Sequence, residues 1–239
     1  DKMLFKFLFD NKAFAEEQLG IYGACFKIAV IMVMFIQAFR YAYEPFVFAK
    51  NKDADNRKAY STAMKYFIIF ATVIFLGVMF YIDIIKLLLQ PDYYSGLGVV
   101  PIVMLGELFF GVYFNLSMWY KLTDNTRWGA YFSLFGCILT VAIILIFVRR
   151  YGFMACAWAS FFSNLAMMLL SYFIGRKKFP VAYDLPSALF YVITAAVFYA
   201  AAMLPDVSSL ALRLTYRSIL LIIYLGLIYR REFHHLRSL

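Results

Sequence analysis

The chain holds 239 residues, 64% of them hydrophobic and 15% charged, with a mean hydropathy of +0.76. Soluble domains lie nearer half apolar and a quarter charged, so this balance excludes a water-soluble globular class and makes the bilayer the solvent for most of the chain. The net charge of +9 brings nucleic acid to mind, but Lys and Arg sit in short segments between apolar runs and form no basic face. Membrane topology and anionic headgroups account for them, and no nucleic-acid partner is implied.

Apolar runs of about twenty residues mark the helices, since that length crosses the hydrocarbon core. The first span, about 20–44, carries Lys27 within its apolar run. The second, about 66–89, starts after Lys65 and ends at the turn Gln90-Pro91-Asp92-Tyr93-Tyr94-Ser95-Gly96. The third, about 97–119, carries Glu107 and ends before the breaker Thr123-Asp124-Asn125. Spans at about 128–148, 152–175 and 185–204 contain no charge. The last, about 214–230, follows Pro205-Asp206 and has Arg217 near its outer end. The expected fold is all-α, a polytopic transmembrane bundle of about seven spans without a soluble domain. Cys25, Cys137 and Cys156 all fall in apolar runs and read as small packing residues, not as disulfides or metal ligands.

The distribution of Lys and Arg orients the bundle. With a cytoplasmic C-terminus, the inner segments hold thirteen (Lys50, Lys52, Arg57, Lys58, Lys65, Lys121, Arg127, Arg176, Lys177, Lys178, Arg230, Arg231, Arg237). The outer segments hold six, namely Lys2, Lys6, Lys12, Arg149, Arg150 and Arg213. That bias places the C-terminus inside and, across seven spans, the N-terminus outside. Trp119, Tyr120 and Trp128 at an inner turn, with Tyr93, Tyr94 and Tyr151 at outer ends, fit an aromatic belt. An outside N-terminus beginning Asp1-Lys2-Met3 leads to the expectation that an odd number of earlier spans precedes this segment.

Ionisable groups at membrane depth are costly and are functional candidates by default. At 100° per residue, Gln37, Arg40 and Glu44 fall within about 60° of one another, and Lys27 lies about 80° from Gln37. Such a polar stripe is expected to face a bundle interior or a wet cavity, with Arg40 and Glu44 also able to pair at (i, i+4) near the boundary. In the third span Glu107, Gly111 and Asn115 occupy one face within about 80°. Glu107 and Lys27 lie at similar depth and are expected to pair or to share one hydrated cavity, while Gly111 would allow close helix approach.

Other signals are bland. Asn115-Leu116-Ser117 matches a glycosylation sequon inside a span, where no transferase acts. Asp83 and Lys86 read as an interfacial ion pair, and adjacent His234-His235 make a poor metal site. Gly96-x-Gly98 has no preceding strand and is turn chemistry. No catalytic set is evident, and the water-side segments are too short to build one, so the chain does not read as an enzyme.

The run GIYGACFKIAVIMVMFIQAFRYAYEPFVFAK (20–50) resembles the eighth span of bacterial polysaccharide-unit flippases of the multidrug/oligosaccharidyl-lipid/polysaccharide exporter superfamily. The opening GIYGA, Phe26-Lys27 and QAFRYAYEPF (37–46) carry most of the likeness. Residues 66–98 resemble the following hairpin and 99–136 the next two spans, with Tyr151-Gly152 opening another. The resemblance implies the C-terminal lobe of a MATE-like two-lobe flippase fold: five lobe spans in 1–175, then two additional spans and a basic tail in 176–239. It implies a multi-pass protein of the bacterial inner membrane that moves an undecaprenyl-pyrophosphate-linked oligosaccharide by alternating access. The partners would be that lipid-linked oligosaccharide, membrane lipids and an N-terminal lobe. Lys27 and Arg40 would meet pyrophosphate or acidic sugar, and Gln37, Glu44, Glu107 and Asn115 would line the same cavity. No cofactor is implied, and a proton or sodium gradient is left open as the driving force. The competing readings are a cation-coupled drug exporter and a non-transporting membrane assembly subunit.

Overall fold

The computed structural model describes residues 12–50, 56–204 and 209–237. Seven long helices account for most of them: α1 (Lys12–Lys50), α2 (Asn56–Phe80), α3 (Val99–Leu116), α4 (Arg127–Tyr151), α5 (Phe153–Lys178), α6 (Leu185–Met203) and α7 (Leu210–Arg237). Each is long and apolar enough to cross a membrane, α3 together with the short helix Met118–Leu122 that continues it. No strand occurs among the described residues, so the chain forms the all-α, seven-span bundle expected of it.

Two boundaries depart from the sequence reading, each for a physical reason. Helix α2 begins at Asn56 and ends at Phe80, ahead of the short helix Ile82–Ile85. Lys65, counted above as a loop charge, is 8% exposed inside α2 because Glu232 neutralises it. Helix α1 runs through Pro45 to Lys50. A proline donates no amide hydrogen, so the Tyr41 carbonyl one turn back has no helical donor there. At about 1.5 Å per residue α1 spans roughly 58 Å, nearly twice the hydrocarbon thickness, so part of it projects beyond.

Helix α3 is the axis of the bundle: 72% of its apolar window is buried, against 22% for α4 and 11% for α7. It packs on α5, α1 and α2, while α4 lies outside α5, and α6 and α7 lie against α2. Lipid tails are as apolar as Leu, so close packing rather than water exclusion must hold such helices together. Small residues provide that closeness. A Cβ at Gly106 would stand 3.1 Å from the Phe161 Cα on α5, and one at Gly111 would run into the Phe67 ring on α2. Around this axis Met32, Phe67, Phe75, Leu76, Met104, Leu108 and Ile144 are essentially fully buried. Cys25 and Cys156 are buried as expected, whereas Cys137 is exposed, beside an open cleft between α4, α3 and α5.

Turns fix the hairpins. The 3-10 turn Pro91–Gly96 folds back on α1, where a side chain at Gly96 would strike Ile21 and Cys25. One residue, Gly152 at φ +55°, joins α4 to α5. That left-handed conformation favours glycine.

Candidate functional site

The buried stripe of α1 runs through Tyr22, Cys25, Ala29, Met32, Ile36, Tyr43 and Val47, against α3 and α2. Lys27 lies half a turn from this stripe and is exposed on the side facing away from the bundle. Gln37, Arg40 and Glu44 occupy the flank between the two sides and are half-buried. The four residues therefore do not form one inward stripe. They spread from the α1–α3 junction out to the open face.

At the junction the expected (i, i+4) contact forms, with Arg40 Nε 3.7 Å from Glu44 Oε1. A stronger partner comes from the helix after α3: Lys121 Nζ lies 2.5 Å from the same oxygen. Both cations also sit on Phe114, Arg40 at 4.6 Å and Lys121 at 4.7 Å from the ring centroid. One carboxylate and one aromatic face thus hold two cations together, leaving a net positive cluster.

On α3, Asn115 is 1% exposed and its amide donates to the Gly111 carbonyl at 3.0 Å, while no partner for its Oδ1 is found among the described residues. Gly111 does permit close approach, since Phe67 and Ile36 fill the space beside it. Glu107 is half-buried one turn earlier, near Tyr22 of α1. No ion pair joins it to Lys27 among the described residues. The expected direct pair fails because Glu107 is on the helix that α1 packs against, whereas Lys27 points the opposite way.

A second polar system, on α2, α6 and α7, is absent from the sequence-derived set. Lys65 Nζ meets Glu232 Oε2 at 2.7 Å, and Tyr191 donates to Glu232 Oε1 at 2.6 Å. Tyr224 donates to Thr72 Oγ1 at 2.8 Å, and Arg231 donates to Ser187 Oγ at 3.1 Å. At the far end, Asp83 Oδ2 lies 2.8 Å from Arg217 and 3.1 Å from Arg213, and Oδ1 accepts from Lys86 at 2.8 Å. Asp83 and Lys86 do pair as expected, with two arginines added. Burial raises the Asp83 carboxyl, but the Lys86 hydrogen bond and the charges of Lys86, Arg213 and Arg217 outweigh it and hold the group below its ordinary value. The signal was in the sequence as a seven-residue spacing: Lys65 and Thr72, then Arg217, Tyr224 and Arg231, each stack along one helix side. The side chains of His234 and His235 lie outside the described residues. Among the described residues no group of three His, Cys, Asp or Glu could hold a metal.

Seven helices, each long and apolar enough to cross a bilayer, define a multi-pass membrane protein. The MatE family model matches residues 11–147, more than half of the chain, and the protein belongs to that family. No match is found among curated proteins. Among solved structures, the chain resembles the lipid II flippase MurJ in an inward closed conformation, with a TM-score of 0.65 and 16% identity. The alignment covers 94% of this chain and 49% of that one, so the chain spans about half the length of the structure it matches. The likeness is one of fold.

Proposed function

We propose that this chain forms one wall of an alternating-access path that moves lipid-linked oligosaccharides across a bacterial inner membrane. Helices α1–α5 make the lobe and α6–α7 the two additional spans, with the C-terminal end cytoplasmic and the N-terminal end periplasmic. The observation that carries the reading is the open side of α1. A lysine facing lipid near mid-bilayer costs roughly 2.5–3.5 kcal/mol, so Lys27 is expected to meet water, substrate or a second lobe. A pyrophosphate crossing hydrocarbon needs a hydrated, cationic route, and Lys27 with the Arg40–Lys121 cluster supplies one along α1. Gln37 and Glu44, half-buried on the flank of the same helix, then offer hydrogen bonds to sugar hydroxyls, whereas Glu107 and Asn115 lie behind α1 and reach the path only if α1 and α3 part. The half-length match to a lipid-linked-substrate flippase supports a second lobe opposite this face.

Deletion of the gene tests the proposal. Loss of a surface polysaccharide with build-up of its lipid-linked unit is expected, restored by the unaltered gene and not by Lys27→Ala. Unchanged polysaccharide with increased drug sensitivity would instead favour a cation-coupled exporter. That second reading draws on Glu107, which makes no ion pair among the described residues.

A further inference from the structure

Helices α5 and α6 follow one another in sequence but do not pack along their length. The reason is local: after Lys178 the chain leaves the helix at Phe179 (φ −142°), passes Pro180 and extends to Asp184 before α6 starts. The splay leaves a cleft of about 290 Å³ whose inner walls come from α2 and α3. Leu108, Val112, Met168 and Ile68 line its depth. Leu169 and Phe173 on one side and Leu185 and Leu189 on the other form its mouth, all exposed by 41–59%.

The mouth opens between two spans, so its surroundings are acyl chains. At one end the lining turns polar, with Ser61, Lys65, Tyr183 and Asp184, and further cations stand one turn beyond it. On α5 the lining pair Tyr172 and Phe173 is followed four residues later by Arg176 and Lys177, on the same side of the helix. On α2 the lining residue Ser61 is preceded four residues earlier by Arg57, whose guanidinium lies 5.1 Å from the Phe179 ring centroid at the end of α5. All three cations are exposed. Two acids stand nearby, one paired and one, Asp184, an exposed carboxylate in the lining, so the three added cations leave the end net positive. Glu232 is paired with Lys65, and Asp184 accepts from the Ser187 amide at 3.1 Å. Hydrogen bonding to Ser187, with Lys65 and Arg231 near, keeps that carboxyl below its ordinary value.

We infer that this cleft is a binding site for an anionic phospholipid, with one acyl chain between α5 and α6 and the phosphate at Arg57, Arg176 and Lys177. Charge complementarity selects the headgroup, since basic side chains at a membrane surface attract anionic lipid. The apolar depth of the cleft, between Leu108, Val112, Met168 and Ile68, takes the acyl chain from the side. The site is independent of the transport proposal, because neither its lining nor its cations belong to the α1 face.

The test uses the whole chain, purified and delipidated in detergent, with lipid retention followed by native mass spectrometry. Phosphatidylglycerol should be retained at about tenfold lower concentration than phosphatidylcholine of the same chains, and added salt should erode the difference. Arg57→Gln/Arg176→Gln/Lys177→Gln should remove the preference while leaving phosphatidylcholine retention unchanged. Ala188→Phe, which fills the cleft, should weaken both lipids. Equal retention of the two lipids by the unaltered chain overturns the inference without recourse to any variant. So does a preference that survives the triple substitution. Displacement of phosphatidylglycerol by an equimolar polyprenyl phosphate assigns the cleft to a substrate tail and also overturns it.

Discussion

The two polar systems use the same residue types to opposite ends. On the α2–α6–α7 seam, Lys65, Glu232, Asp83 and Arg217 are each no more than 9% exposed and each has a charged partner within 2.8 Å. On the α1 side, Arg40 and Glu44 are 42% and 30% exposed, and Lys27 faces away from the bundle. Buried charges persist only when paired, whereas half-open ones stay available to a third party. The seam therefore reads as structure and the α1 face as function, although the α1 charges are the ones that stood out in the sequence.

Substitutions can break this contrast, and the largest stability effect belongs to the seam. Lys65→Met removes the buried ammonium 2.7 Å from the Glu232 carboxylate, and should cost about 3–5 kcal/mol in denaturant unfolding in detergent. Adding Glu232→Leu should recover most of that loss. If the single variant unfolds like the parent, the seam does not hold α7. Next comes Gly111→Leu, whose side chain must displace the Phe67 ring, for about 1–3 kcal/mol. Pairing it with Phe67→Ala should restore part of the loss, and its absence would place the strain elsewhere.

Asp83→Asn removes the charge shared by Lys86, Arg213 and Arg217 and should cost about 1–3 kcal/mol at neutral pH. Because the folded carboxyl titrates below its ordinary value of 3.8, its stabilisation is complete above that value and fades as pH falls through the lower folded value. The gap between parent and variant should thus stay constant from neutral pH to about 5 and close only in stronger acid. A gap that closes near neutrality would identify another group as the source. The smallest stability effects belong to the α1 side. Glu44→Gln should cost under about 1 kcal/mol and Lys27→Ala about 0.5 or less, while, on the function proposed above, transport falls sharply in both. A thermal shift for Lys27→Ala as large as that for Lys65→Met would erase the distinction between the regions.

Much of the fold was legible because a bilayer demands long apolar runs, and Trp128–Val148 or Leu185–Leu204 have no other reading. The α3 face was legible as well, since Gly111 and Asn115 share a helix side and the structure buries both. What could not be read was which side of α1 meets α3. Helical angles place Lys27 near Gln37, but the choice between inward and outward depends on how Ile28, Met32 and Ile36 pack, and that is a property of the partner helices. The start of α2 was misplaced for a related reason. A lysine at a span boundary looks like a loop charge until its carboxylate, 167 residues away, is known. Long-range pairing leaves no mark in a local window beyond the heptad spacing of Lys65 with Thr72 and of Arg217 with Tyr224.

The proline in α1 has a mechanical consequence. With the Tyr41 carbonyl lacking its helical donor, the rod is softest at the Arg40–Glu44–Lys121 cluster itself, while the stretch from Tyr22 to Ile36 is clamped against α3. The turn and a half beyond the proline is anchored as well, since Val47 is fully buried and its carbonyl accepts from the Tyr60 hydroxyl of α2 at 3.2 Å. The Lys121–Glu44 contact therefore stands at the joint between two anchored segments of one helix.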